Sequence, residues 1–402
     1  MRVDPRSYFQ LLDRRGRIRA LDGVRGVAIL LVVLHHVAES FTRGDGSLLP
    51  VGGWDAGAML LNGWMGVQLF FVLSGFLISY HFLRRTQRAG AIGRFLVRRW
   101  LRIVPTYYVV LLIVALGLVP SYPVAPDYLS LRVGYHLLFL QDYLPSSLLG
   151  PFWSLGVEEK FYLAAPLIAA ALWRARTPAR GLALLAILAL LPIAIRVLMV
   201  LIGTPDGRSF TGTWRNPFHL SLDALVLGAI VAWVAYHSDS FPRLTRIAGH
   251  RRFLPLASLA LLLLLGVRTM PGAETVFDRV ALYPLTALVM GLFVAGVVFH
   301  RSDAPLLQGP LLAAAGRIAY PWYLTHVLVM WSAWGGLRSL APVIESLPPT
   351  LQLAVFFPFY FTGSVMAAVA LHFAVEKPFL VLKDSLDREP LPAEPRLASR
   401  TA

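Results

Sequence analysis

The sequence predicts an all-α polytopic membrane protein with about ten transmembrane helices and both termini in the cytoplasm. Three observations predict it. First, hydrophobic residues make up 57% of the chain, charged residues only 15%, and mean hydropathy is +0.64. A soluble chain of 402 residues needs far more polar surface to cover its core. Second, apolar runs close to the ~20 residues that cross about 30 Å of hydrocarbon as helix recur along the whole length. Third, the basic residues sort to one side. Of 37 Lys and Arg, 27 fall in the N-terminal segment, the even-numbered loops and the tail, and only 7 in the odd-numbered loops. That is the positive-inside pattern. The net charge of +15 therefore reads as topology, and no nucleic-acid partner is expected. With no cysteine in the chain, disulfides, a thiolate metal site and a cysteine nucleophile are excluded.

The spans are read at about 22–41, 62–83, 103–121, 152–173, 181–203, 217–236, 253–270, 280–300, 318–337 and 351–374. They divide the chain into a basic N-terminal segment (1–20), a ten-helix membrane domain (21–378) and a disordered cytoplasmic tail (379–402), which is polar and Pro-rich. The first span has a basic flank, as a signal peptide would. Its apolar stretch carries Arg25, His35 and His36, and no small-x-small cleavage site follows, so a retained helix is expected. The second loop, "RRTQRAGAIGRFLVRRWLRIVPTYY", holds seven arginines, most of them explained by topology. In the third loop, about 122–151, "GYHLLFLQDYL" is apolar but too short to span. It is expected to lie along the membrane or dip into it.

Ionisable groups inside these spans face the bundle interior or a wet cavity. Arg25 and His36 are eleven residues apart, about 1100° of helical rotation, so they share a face and stand about 16 Å apart along the axis. His35 points about 100° away and is the lesser candidate. Counting inward from the outer end of each span puts His36, Gln68, Glu158 and Asp223 at one depth, with Ser74 a turn or so deeper than Gln68 and His326 near mid-span. A shared depth on four helices points to a single polar cavity. His326 reads equally as a satisfied hydrogen-bonding group. Glu159 beside Lys160 reads as a local charge pair or an interfacial feature, Arg196 as a side chain snorkelling to the outer interface, and Trp153, Phe161 and Tyr162 as packing and belt residues. Arg99 and Arg102, three apart on the helical approach to span three, present two guanidinium forks on one face, suited to a phosphate.

These residues resemble the bacterial acyltransferase-3 family of inner-membrane O-acyltransferases. The resemblance rests on an Arg, ten residues, then His in "DGVRGVAILLVVLHH" (Arg25, His36); on "GVQLFFVLSGFLIS"; and on Arg-x-x-Arg in "RRWLRIVPTYY" (Arg99, Arg102). "FWSLGVEEKFYL", "LDALVLGA", "AYPWYLTH" and "VEKPF" follow in family order, so the match runs from about residue 20 to 380. It implies ten helices in the bacterial cytoplasmic membrane. The donor is an acyl-CoA, normally acetyl, bound from the cytoplasm as co-substrate, with no cofactor and no metal. The acceptor is a hydroxyl of an envelope glycan or, in some members, of a small metabolite such as a macrolide. Arg25, His36, Arg99 and Arg102 match the family's functional positions, and Glu158 its acidic fourth-helix position. Some members carry a fused esterase-like domain. The tail here is short, so any second-step partner is expected to be a separate periplasmic or extracellular protein.

The expected scheme holds coenzyme A phosphates on Arg99 and Arg102 with Arg98, threads the pantetheine past Arg25, and uses His36 as general base. Glu158 or Asp223 is expected to orient the imidazole, and Gln68 or Ser74 to stabilise the oxyanion, with His326 a further acceptor contact. A covalent route would use His36 or Ser74. Two rival classes stand beside the enzyme: a transporter or flippase lined by the same buried groups, and a non-catalytic scaffold or sensor.

Overall fold

The structure, a computed structural model, describes residues 19–44, 46–52, 54–85, 91–124, 126–144, 148–203, 217–267, 275–300 and 304–385. The basic segment before residue 19, the tail beyond 385, and Arg208, Arg215 and Arg268 of the charge count lie outside them.

Each expected span is a helix. In chain order these are α1 (Arg19–Glu39), α2 (Met65–Arg85), α3 (Ala91–Ala115), α4 (Trp153–Arg174), α5 (Pro178–Leu201), α6 (Phe218–Tyr236), α7 (Phe253–Gly266), α8 (Tyr283–Phe299), α9 (Ala319–Leu340) and α10 (Pro349–Leu371). Six of them, α1, α2, α5, α6, α8 and α10, are long and apolar enough to cross a membrane, which makes this a multi-pass membrane protein. At 14 residues, α7 spans only about 21 Å. It becomes a seventh crossing when taken with Pro242–Ala248, against which it is bent by 67°.

The remaining three, α3, α4 and α9, fall short because they carry polar and charged groups, and the inward faces of all three line one cavity. Their reduced hydropathy follows from that position.

Several boundaries differ from the sequence reading. The third helix starts at Ala91 rather than 103, so the arginine-rich segment is itself helical. The tail boundary expected at 379 falls inside a further helix, Lys377–Ser385, which follows α10 through a π-turn at His372–Glu376. The apolar third-loop segment forms a short helix, Leu129–Leu137, with Leu131 and Leu137 exposed and His136 buried against Tyr107 Oη at 2.8 Å.

Packing is closest where side chains are smallest. A Cβ on Gly75 of α2 would stand 1.9 Å from the carbonyl oxygen of Leu225 on α6, and one on Gly228 of α6 would stand 2.0 Å from that of Val72 on α2. Glycine at both positions lets these two central backbones touch, the usual device where lipid supplies no hydrophobic drive between helices.

Candidate functional site

A cavity of about 320 Å³ opens between α1, α2, α3, α4 and α9. Four arginines line it: Arg25 from α1, Arg99 and Arg102 from α3, and Arg317 from the short helix Pro310–Arg317 that leads into α9. Apolar side chains, Phe70, Phe71, Leu73 and Leu155 among them, line it too.

Local sequence explains how these arginines converge. In "DGVRG", Gly23 and Gly26 lie on the α1 face against residues 307–312. A Cβ on Gly23 would sit 1.8 Å from the carbonyl oxygen of Leu307. A Cβ on Gly316 would sit at the same 1.8 Å from the carbonyl oxygen of Asp22. The close approach brings Arg25 and Arg317 to one carboxylate: Arg25 Nη1 donates to Asp22 Oδ1 at 2.5 Å, and Arg317 Nε lies 3.9 Å from Oδ2. Arg99 is held over the rings of Tyr162 (5.2 Å) and Phe95 (5.5 Å), an attraction between cation and ring quadrupole that fixes its fork.

Glu158 belongs to this same group. One carboxylate oxygen accepts from Ser74 Oγ at 2.8 Å and the other from Tyr162 Oη at 3.0 Å, with Arg99 and Arg102 in electrostatic reach. The expectation that Glu158 orients His36 therefore does not hold: both its oxygens are engaged at the arginine group. Ser74, expected as an oxyanion donor, spends its proton on Glu158.

His36 does not line the cavity. It stands beyond one end of it, half-buried, between the rings of His35 (5.1 Å) and His326 (4.9 Å). Its Nδ1 is 2.9 Å from the carbonyl of Val32 and 3.3 Å from His326 Nε2. His326, fully buried, has Nδ1 at 2.8 Å from the Tyr323 carbonyl. These carbonyls assign the tautomers: His326 donates from Nδ1 and accepts at Nε2, and His36 donates from Nδ1, which leaves its lone pair on Nε2. The link from the cavity to this pair is Tyr323. Its hydroxyl meets Ser154 Oγ at 2.6 Å in the cavity wall, and its ring lies 5.7 Å from that of His326.

Asp223 is elsewhere. It pairs with Arg196 of α5 at 2.9 Å, with side-chain exposures of 2% and 0%. Arg196 also donates to the carbonyl of Leu220 and stacks over Tyr283. Arg196 is thus no interfacial snorkel but a sealed counter-charge, and Asp223 orients no catalytic imidazole. Gln68 is buried outside the cavity lining, and Arg98 does not line it either. The expected Glu159–Lys160 pair is replaced by Lys160–Asp142 at 2.5 Å.

The sequence reading grouped residues by depth, and depth gives height but not direction around the helix axis. Three lining residues are not singled out by that reading: Arg317, absorbed into the charge count, and Tyr162 and Tyr323, absorbed into aromatic packing; Asp22, which holds Arg25 and Arg317, is missed as well. The spacing of Tyr162, one turn after Glu158, is the signal that was available.

Comparison with known proteins places this arrangement. The acyltransferase-domain family matches residues 18–373. A peptidoglycan O-acetyltransferase, OatA, of Listeria monocytogenes is 26% identical over 224 residues, covering 51% of this chain and 33% of that protein. A putative O-acetyltransferase of Staphylococcus aureus strain COL is 25% identical over 340 residues, 78% of this chain and 50% of that protein. A protein named regulator of hypoxia-inducible factor 1 from Caenorhabditis elegans is 25% identical across 93% of this chain and 82% of its own length. The chain spans half or less of the length of the bacterial relatives named here. No solved structure matches.

Proposed function

This chain belongs to the acyltransferase-3 family, and from that premise we propose that it is an O-acyltransferase of the bacterial cytoplasmic membrane. It moves an acyl group, acetyl by the names of its relatives, from acyl-CoA to a hydroxyl of a sugar or envelope glycan. All ten helices cross the bilayer and both termini are cytoplasmic, as the basic residues sort. The observation that carries the reading is the cavity: four arginines from three separate segments line it together with apolar side chains. Several guanidinium forks around one space suit a polyanion such as the diphosphate and 3′-phosphate of coenzyme A, and the apolar side chains suit its pantetheine arm.

In the reaction the acceptor hydroxyl gives its proton to His36 Nε2 while its oxygen attacks the thioester carbonyl. The tetrahedral intermediate collapses by breaking the carbon–sulfur bond. The imidazolium then returns the proton to the leaving thiolate, so that an ester and free coenzyme A leave. His326 holds the His36 ring through Nδ1, and Tyr323 is the side chain that must yield for a thioester in the cavity to reach that ring.

The test is kinetic. In proteoliposomes, Arg99→Ala and Arg102→Ala raise the acyl-CoA KM about tenfold each, the loss of a charge-assisted contact, with acceptor KM unchanged. An effect confined to the acceptor, or no thioester cleavage by the wild-type protein, overturns the reading.

A second route is favoured by one contact. The Ser74–Glu158 hydrogen bond lies inside the cavity and has the geometry of a nucleophile beside its base. An acyl adduct on Ser74, isolated after incubation with donor alone, would establish that route in place of direct transfer.

A further inference from the structure

A second cavity, of about 410 Å³, lies on the far side of the histidine pair from the arginines. It is built on one stripe of α9. Trp331, Trp334, Gly335 and Arg338 are spaced i, i+3, i+4 and i+7 and project from a single face. Its other wall is Glu345 of the short helix Pro342–Ser346, which forms an ion pair with Arg338.

The floor is constrained. Ser121 adopts φ 59°, a left-handed conformation rare for a residue with a side chain. A Cβ on Gly335 would lie 2.1 Å from Ser121 Oγ, so only glycine lets the loop approach α9 this closely. Ser332 Oγ ties the same loop down by donating to the Pro120 carbonyl at 2.8 Å.

One lining residue of this cavity, Trp334, touches the chain just beyond the α1 helix that carries His36. Ser40, just past the end of α1 and four residues beyond His36, contacts Met330 Sδ at 3.6 Å, and Phe41 packs edge-on against Trp334 at 5.0 Å. Trp331 is five residues beyond His326 on the same helix, a rise of about 7.5 Å and a turn of about 140° around the axis.

We propose that this cavity is the subsite for a saccharide, whose ring stacks on Trp331 and whose hydroxyls bond to the Arg338–Glu345 pair. The proposal rests on the acyltransferase reading for its purpose, since it would anchor a glycan acceptor at the end of α9 beyond the histidine pair. The chemistry is particular to sugars. A pyranose offers a C–H face to an indole and adjacent hydroxyls to planar guanidinium and carboxylate groups, and the cavity supplies both sets in one place. Trp331 is 42% exposed, so its ring is available. A purely lipid-facing belt tryptophan needs neither the ion pair beside it nor the strained floor beneath it.

The experiment uses the full chain in nanodiscs, with chitobiose and cellobiose as probes read by saturation-transfer NMR, and coenzyme A as the probe of the arginine cavity. At least one disaccharide is expected to bind saturably. Trp331→Ala and Arg338→Ala each weaken it about tenfold, Trp331→Phe recovers part of the loss, and coenzyme A binding is unchanged in all three. Absence of saturable binding of either disaccharide, or binding indifferent to both alanine substitutions, overturns the proposal. Saccharide binding without coenzyme A binding would instead sink the donor reading and leave this one standing.

Discussion

Arg25 and Arg196 are both arginines within apolar helices, and each is paired with an aspartate, yet the two pairs face opposite ways. Arg25 and Arg317 sit in the wall of a cavity and share the buried Asp22 behind them, with the Arg25 side chain 20% exposed. Arg196 and Asp223 are sealed: both side chains are almost wholly buried between α5 and α6, and a backbone carbonyl and an aromatic ring add to the guanidinium's contacts. The comparison teaches that an intramembrane charge can be stabilised by opening to a site or by closing on itself. Burial alone does not tell the two apart. A charge kept beside a cavity holds its donors for something that arrives. A charge closed on its partner is a structural clip, whose two members must be kept or lost together.

The largest expected effect falls on the open side. His36→Ala should cut acyl transfer by about 10²–10⁴-fold, the range that one positioned general base supplies, while protein level and membrane insertion hold at wild type. The ring is half-buried and stands among other imidazoles, so the fold does not depend on it. Assay of acceptor-dependent thioester cleavage in purified membranes checks this, and activity within a few-fold of wild type would break the assignment.

The next effect falls on the sealed side, and on stability instead of rate. Asp223→Ala leaves Arg196 buried without its counter-charge, which costs about 3–5 kcal/mol. Loss of monodisperse protein on size exclusion and a lowered Tm are expected, together with activity lost in proportion to folded protein. A stable Asp223→Ala protein with a normal fold but no transfer would reverse the contrast and return Asp223 to the chemistry.

The sequence carried the helices and the open site further than it carried the sealed pair. Each segment read as a span is a helix, and six of them are long and apolar enough to cross a membrane, because apolar length is a one-dimensional signal. Arg25 was readable because costly groups at helical spacing share a face, and Arg99 and Arg102 were readable for the same reason. What failed was direction around the axis. Glu158 and Asp223 were grouped by depth, but only packing decides whether a carboxylate looks at His36, at Ser74 or at Arg196. Arg196 itself held the missing clue. An arginine in a helix as apolar as α5, whose mean hydropathy reaches 2.8, requires an acid within the bundle, and Asp223 is the acid on the following helix. Tyr162 and Tyr323 were hidden by their type, because aromatic residues in membrane helices usually only pack. Arg317 was hidden by its place at a helix terminus, where a basic residue needs no further reason.

The smallest expected effect is also the sharpest test of the contrast. Replacing both members of the sealed pair by apolar groups of similar size, Arg196→Met with Asp223→Leu, removes two desolvated charges at once and leaves neither partner orphaned. Such exchanges of a buried pair are commonly neutral or stabilising by about 1–4 kcal/mol, so the double variant should regain the Tm that Asp223→Ala loses. Transfer activity should also return to within a few-fold of wild type, because nothing at Arg196 touches the cavity. The matching exchange on the open side, Arg25→Met with Asp22→Leu, should keep the fold and still abolish transfer, since there the guanidinium faces the donor space. Measured side by side, the two double variants separate structure from function by sign. If the sealed double variant folds well and remains inactive, charge at Arg196 and Asp223 acts on the reaction over a distance, and the division between clip and site fails.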